Sequence, residues 1–351
     1  MRDVAVISFA QAKSVRRDTD RNEVEIVMPV VSEAIERAGL DRKEIGFTCS
    51  GSSDYLAGIA FSFVTALDAI GAWPPIEESH VEMDGAWALA EAWVRLQHGD
   101  VDSALVYGFG KSSLGDIGEI LSRQLDPYTV APLWPDPIAI AALQARAMIE
   151  AGKCDERRMA EVAVRSRRDA MGNPYAQVKG EFDVEALLEE PYVASPLRKH
   201  DCPPISDGAA AVVLAAGDLA RAKCERPAWI RGLDHRIDIH HVGARDLTRA
   251  PSARLAAERA GVGRDKIDVA ELYAPFTHQE LLLREELGLS DSVRINPSGG
   301  ALAANPLMAA GLIRIGEAAQ RIIDGQADRV VAHATSGPCL QQNLVCVMEG
   351  E

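Results

Sequence analysis

Tyr273 closes the apolar run Ile267–Leu272, and His333 follows the run Val330–Ala332, directly before the small-residue turn Ala334-Thr335-Ser336-Gly337. A phenol with an ordinary pKa near ~10 and an imidazole near ~6.5 both transfer protons, although the phenol needs a polarising neighbour to act as a base. A turn of small residues exposes backbone N–H groups, so Ser336 and Gly337 are candidates for receiving an oxyanion or binding substrate. His278, five residues beyond Tyr273, is a candidate partner on the same segment, or else a structural histidine on a helix face. Asp84 precedes Gly85 at the start of a predicted helix, where a carboxylate serves either as a charged orienting group or as the N-cap. Asn305, just before Pro306, can donate a hydrogen bond but cannot shuttle a proton at neutral pH. Gly299-Gly300 permits positive φ and close approach of a ligand, or is simply a strand-to-helix turn.

Other chemistries find little support. The cysteines Cys49, Cys154, Cys202, Cys224, Cys339 and Cys346 form no C-x-x-C pair and no metal-ligand spacing, which reads as reduced, mostly buried thiols of a cytoplasmic protein. His235 and His240-His241 lack carboxylate or cysteine partners at ligand spacing, so no metal is expected. Asp and Glu number 52 against 37 Lys and Arg, a net charge of −15, which opposes a nucleic-acid or anionic-membrane partner. No apolar run approaches the length of a membrane span, and Val4–Ala10 is too short for a secretory signal.

These residues need elements to position them, and an internal repeat supplies the plan. Ala34-Ile35-Glu36-Arg37-Ala38-Gly39 through Ile45 matches Ala256-Ala257-Glu258-Arg259-Ala260-Gly261 through Ile267 at an offset of 222 residues, and Glu91-Ala92 with Gly99-Asp100 matches Glu317-Ala318 with Gly325-Gln326 at 226. Each match reads as a helix ended by glycine, then a turn into an apolar strand. The reading is a duplicated α/β half: residues 1–110 and 218–351 form the two halves, 206–217 a return strand of the first, and 111–205 an inserted lid or loop region with a helix near 138–151.

Three motifs carry a family resemblance. Ser195-Pro196-Leu197-Arg198-Lys199-His200-Asp201-Cys202-Pro203-Pro204-Ile205-Ser206-Asp207-Gly208-Ala209 resembles the signature that closes the loop domain of thiolases, in the sterol-carrier-protein and bacterial lipid-transfer-protein branch. Glu271-Leu272-Tyr273-Ala274-Pro275-Phe276-Thr277 and Asn296-Pro297-Ser298-Gly299-Gly300 through Gly311 resemble two blocks of the second half. The resemblance implies a five-layered α/β/α/β/α fold from two pseudo-symmetric halves, usually dimeric, acting on acyl-coenzyme A thioesters with coenzyme A entering as part of the substrate. Aligned so, Asp84 stands at the nucleophilic cysteine, Asn305 at the histidine, Tyr273 at the water-holding asparagine, and His333 near the second cysteine. A carboxylate cannot reproduce an activated thiolate.

Some members of this branch that lack the cysteine resemble retro-aldolases. The resemblance therefore implies a lyase cleaving a bulky β-hydroxyacyl-CoA, such as a steroid or lipid side chain, in a homodimer or with a zinc-ribbon/OB-fold partner protein. Tyr273, His333, Asp84 and Asn305 would carry the chemistry, with Gly299-Gly300 as a wall for the acyl or pantetheine arm. The alternatives are a non-catalytic thiolase-shaped subunit that binds acyl chains or scaffolds another chain, and an acyltransferase using a different nucleophile.

Overall fold

The structure, a computed structural model, describes residues 2–351. Strands β1 (Val4–Gln11), β2 (Phe47–Gly51), β3 (Glu78–Val81), β4 (Ser103–Lys111), a small hairpin of β5 (Tyr192–Ala194) and β6 (Leu197–Arg198), β7 (Asp207–Ala216), β8 (Ala228–Ile237), β9 (Val269–Leu272), β10 (Arg294–Ile295), β11 (Arg329–Ser336) and β12 (Gln342–Glu349) alternate with helices. Ten of them form one sheet in the order β10-β9-β11-β12-β8-β1-β7-β4-β2-β3. The order reads outward identically from its middle. β8, β12, β11, β9 and β10 repeat β1, β7, β4, β2 and β3, and each half pairs parallel at its outer strands and antiparallel toward the seam. The halves meet where β1 runs antiparallel to β8, at Ala5↔Trp229 and Val6↔Ala228.

Strand residues alternate between two apolar layers because successive side chains point to opposite faces. Val4, Val6, Val106, Val212, Val330 and Ala332 face a central layer containing the helices Gly85–His98 and Ala310–Ile323. Ala5, Ile7, Leu105 and Val213 face the helix Glu23–Arg37 on one outside. Ala270, Leu272, Val331 and Val345 face the helices Pro251–Ala260 and Thr277–Glu286 on the other. The result is the α/β/α/β/α layering that the resemblance implied, built from the two α/β halves that the repeat predicted. Helix Glu23–Arg37 is followed by Gly39 at φ 61° and helix Pro251–Ala260 by Gly261 at φ 85°, so the matched glycines do the same work in both copies.

Between β4 and β7 the chain leaves the sheet. It forms the helices Ile117–Arg123, Pro137–Glu150, Glu156–Asp169 and Val184–Leu188 together with the β5–β6 hairpin. Among the described residues, no helix is long and apolar enough to cross a membrane.

Candidate active site

The cavity that gathers most of the predicted residues holds about 410 Å³. Asp84, Tyr273, Asn305, Ser336 and Gly337 all line it, brought together from both halves, and Leu121, Leu125, Ile138 and Ile140 of the inserted region form an apolar wall. The charged side chains in the lining are Asp84, Asp116 and Asp136, all acidic. Asp116 and Asp136 cap the helices Ile117–Arg123 and Pro137–Glu150, accepting from Glu119 N at 3.0 Å and Ile138 N at 2.7 Å. A larger groove of about 670 Å³ lies beside the helix Ala310–Ile323, lined by polar groups such as Arg37, Arg165 and Glu317, and none of the predicted residues reaches it.

Asp84 sits where the N-termini of the two central helices converge. Its Oδ1 accepts from Ala86 N at 2.9 Å and Leu312 N at 3.0 Å, and its Oδ2 from Gly311 N at 2.9 Å. The second helix comes this close only because Gly311 lacks a side chain: a Cβ there would lie 2.5 Å from Asp84 Oδ1. Burial raises the Asp84 carboxyl above its usual range, opposed by the three N–H donors and the Arg314 guanidinium. Asp84 therefore caps its own helix, as one sequence reading had it, and ties that helix to the opposite half as well. Its Oδ2, with a single N–H partner, keeps an acceptor site open.

Tyr273 follows β9 and shares the face of Glu271, toward the central layer. Its ring is buried, and among the described residues its hydroxyl, which is not sealed from the cavity, has no hydrogen-bond partner. Burial, with the Asp84 charge adding to it, raises the phenol well above its ordinary value. Tyr273 is thus a neutral donor at physiological pH, not a tyrosinate. Beneath it a buried Arg314 donates to Glu271 Oε2 at 3.1 Å and Ser298 Oγ at 2.7 Å. Asn305 Oδ1 is buried without a partner and faces no competing protein donor. Among the described residues the backbone N–H groups of Asp84 and Gly337 are likewise unpaired.

Other assignments need correction. His333 lies on β11 one residue from Ala332 and Ala334, which face the central layer, so its side chain turns to the opposite face and does not line the cavity. It is fully buried and bonded through Nε2 to Asn343 Oδ1 at 2.9 Å, and burial lowers its pKa to about 4. His278 is also outside the cavity, 3.2 Å from Gln144 Oε1, with its pKa lowered by burial to about 3. Both imidazoles are neutral structural groups. Gly299 and Gly300 (φ 96° and 63°) open the helix Gly300–Ala303, and a Cβ on Gly299 would strike Ala170 and Ala303, so they serve a tight turn against the inserted region and not a ligand wall.

Sequence reasoning missed part of the lining. Cys202 and Cys339 both border the cavity, yet burial pushes each thiol up to about 12, which leaves negligible thiolate at neutral pH. No spacing signal links them to Tyr273. Glu271 was within reach, since a residue two places before Tyr273 on a strand shares its face.

No family model matches the chain. It is 29% identical to the acetyl-CoA acetyltransferase of Methanothermobacter thermautotrophicus over 364 residues, 93% of this chain and 94% of the relative. It is 29% identical to the benzoylsuccinyl-CoA thiolase subunit BbsB of Thauera aromatica over 229 residues, 56% and 59% of the two chains. Human sterol carrier protein 2 is 26% identical over 303 residues, 74% of this chain and 54% of the relative, so the chain spans about half the length of that protein. Among solved structures, an Ltp2-ChsH2(DUF35) aldolase superposes with TM-score 0.82 at 20% identity, covering 99% of this chain and 98% of that one. A Bacillus anthracis acetyl-CoA acetyltransferase gives 0.81 at 17%, covering 100% and 99%. At these identities the two structures establish the fold.

Proposed function

We propose, for a chain that belongs to the thiolase superfamily in the branch of sterol carrier protein 2, a carbon–carbon lyase activity: retro-aldol cleavage of a β-hydroxyacyl-CoA. The observation that carries this reading is the state of Asp84. A carboxylate held by three backbone N–H groups, with one Oδ2 lone pair left open, stands where a thiolase would place its nucleophile, and the cavity's own thiols are held protonated. This weighs against a covalent acyl-enzyme on sulfur. Retro-aldol cleavage needs none.

In this reading the open lone pair of Asp84 Oδ2 accepts the β-hydroxyl proton, and burial raises the carboxyl toward the range a general base requires. The Cα–Cβ bond breaks, Cβ becomes a ketone carbonyl, and the electron pair settles on the thioester as an enolate. The unpaired N–H groups of Asp84 and Gly337, with the Nδ2 amide of Asn305, are the candidate donors to that enolate oxygen, each such donor being worth roughly 10²–10³ in rate. Tyr273, neutral and with a free hydroxyl, returns a proton to Cα. The β-hydroxyl proton left on Asp84 then passes through cavity water to the Tyr273 oxygen, which restores both groups for the next turnover.

The apolar wall of Leu121, Leu125, Ile138 and Ile140 suits a bulky lipid or steroid-derived acyl group. The acidic lining disfavours the phosphates of coenzyme A, which supports a nucleotide held outside this cavity by basic groups of a second subunit. The aldolase neighbour names two proteins, one a DUF35 protein, which supports a second subunit; the resemblance suggests a zinc-ribbon/OB-fold protein for that role.

The test is to incubate the chain, alone and with such a partner, with a branched β-hydroxyacyl-CoA and follow ketone release. Ketone formation that falls at least about 10²-fold in Tyr273→Phe and survives alkylation of the accessible thiols is expected. Absence of turnover with every partner would overturn the lyase in favour of a scaffold subunit, and activity abolished by thiol alkylation would overturn it in favour of a sulfur nucleophile.

A further inference from the structure

We propose that Arg245 is a positioning residue for this cavity: its guanidinium, together with the Asn343 amide, fixes the hairpin loop Gly337–Gln341 in a conformation the loop sequence does not favour. The loop joins β11 to β12, and Gly337, Pro338, Cys339 and Leu340 line the cavity. Gly337 has φ 73°, which suits glycine, but Cys339 at φ 54° and Leu340 at φ 56° are successive residues in the left-handed region that L side chains rarely adopt. Something outside the loop must hold them there.

Three consecutive carbonyls are taken by side chains from elsewhere. Arg245 Nη1 donates to Pro338 O at 2.8 Å and Nη2 to Cys339 O at 2.6 Å, while Asn343 Nδ2 donates to Leu340 O at 2.8 Å. The fork of a guanidinium fits two neighbouring acceptors as an ammonium cannot. Because the Leu340 carbonyl only accepts, the Asn343 amide nitrogen must face it, where it also donates to Ser252 Oγ at 2.7 Å. That leaves Asn343 Oδ1 to accept from His333 Nε2–H at 2.9 Å. His333 thus backs the clamp from the outer layer. The unpaired Gly337 N–H rides on this loop. That the loop's placement matters for turnover rests on the lyase reading; that Arg245 sets the placement does not.

Cys339 reports on the loop, since its thiol is buried and lies 3.6 Å from Ile140 O. Native-state labelling with N-ethylmaleimide, resolved by peptide mass spectrometry, should show Cys339 modified roughly tenfold faster or more in Arg245→Gln and by a smaller factor in Arg245→Lys, with Cys346 inside β12 unchanged. If Arg245→Gln does not fold, hydrogen–deuterium exchange in Arg245→Lys carries the test, with faster exchange confined to 337–341. Protection equal to wild type in both measurements would overturn the clamp. With substrate, Arg245→Lys should lower kcat more than it alters KM and leave the pH profile in place; unchanged turnover beside a loosened loop would overturn the positioning role while leaving the lyase standing. No turnover by the wild type would sink the lyase, and labelling would still decide the clamp.

Discussion

Replacing Asp84 by asparagine changes one oxygen to an NH₂ group and removes one charge, with almost no change in volume. The amide oxygen can still accept from Ala86 N and Leu312 N, which lie 2.9 and 3.0 Å from Oδ1 in the wild type, but as a neutral acceptor. The new NH₂ must then face Gly311 N–H, which at present donates to Oδ2 at 2.9 Å, so donor meets donor. A hydrogen bond to a charged group contributes about 1.5–3 kcal/mol, and a buried N–H left without a partner costs about 1–3 kcal/mol. The anion also loses its favourable position at two helix N-termini, worth up to about 2 kcal/mol in buried geometries. Relief from burying a carboxylate offsets part of this. The net expectation is a destabilisation of about 2–4 kcal/mol, read as a fall in the urea midpoint with an unchanged m-value. Stability equal to or above wild type would refute the reasoning, because it would mean that the three contacts do not outweigh the cost of burying the charge.

Asp84→Cys should yield a thiol whose pKa lies above the free value of ~8.5, because at this position burial outweighs the two helix N-termini for the native carboxyl as well, and the pH dependence of iodoacetamide labelling measures it; a thiol below that value would mean that the helix N-termini outweigh burial. The buried histidines give a pH signature. His333 and His278 have folded pKa values lowered to about 4 and about 3 against an unfolded value near ~6.5, so their contribution is complete above that value and is lost as the pH falls, because the unfolded chain takes up protons the folded chain refuses. The urea midpoint should therefore drop from pH ~6.5 toward ~4, each histidine adding a slope of up to ~1.4 kcal/mol per pH unit, and the double variant His278→Gln, His333→Gln should flatten that window.

Much of the layering was legible in the chain because the two copies preserve glycine-ended helices feeding apolar strands, and Gly39 and Gly261 adopt matching conformations. Tyr273, Asp84 and Asn305 converge because each sits at an element end that points inward. His333 was misplaced for a physical reason: it and Tyr273 come from adjacent parallel strands, with Tyr273 N donating to His333 O at 3.0 Å, but alternation sends their side chains to opposite faces. A run as short as Val330–Ala332, buried on both faces, carries no polar alternation to reveal which face is which. Arg245 and the apolar wall escaped because their contacts span the loop and the insertion, and no local pattern encodes such distances.

The carboxylate of Asp84 belongs to the first copy of the duplication, whereas Gly311 and Leu312 belong to the second. One side chain therefore rivets together two units that also share the short β1–β8 seam, a greasy helix interface and hydrogen bonds such as Gln11 to Glu317 and Gly85 N to Met308 O. Neither copy expressed by itself would own both ends of that rivet, and folding of the pair should be cooperative through it. A substitution at position 84 therefore acts on the joint between the copies as well as on the cavity.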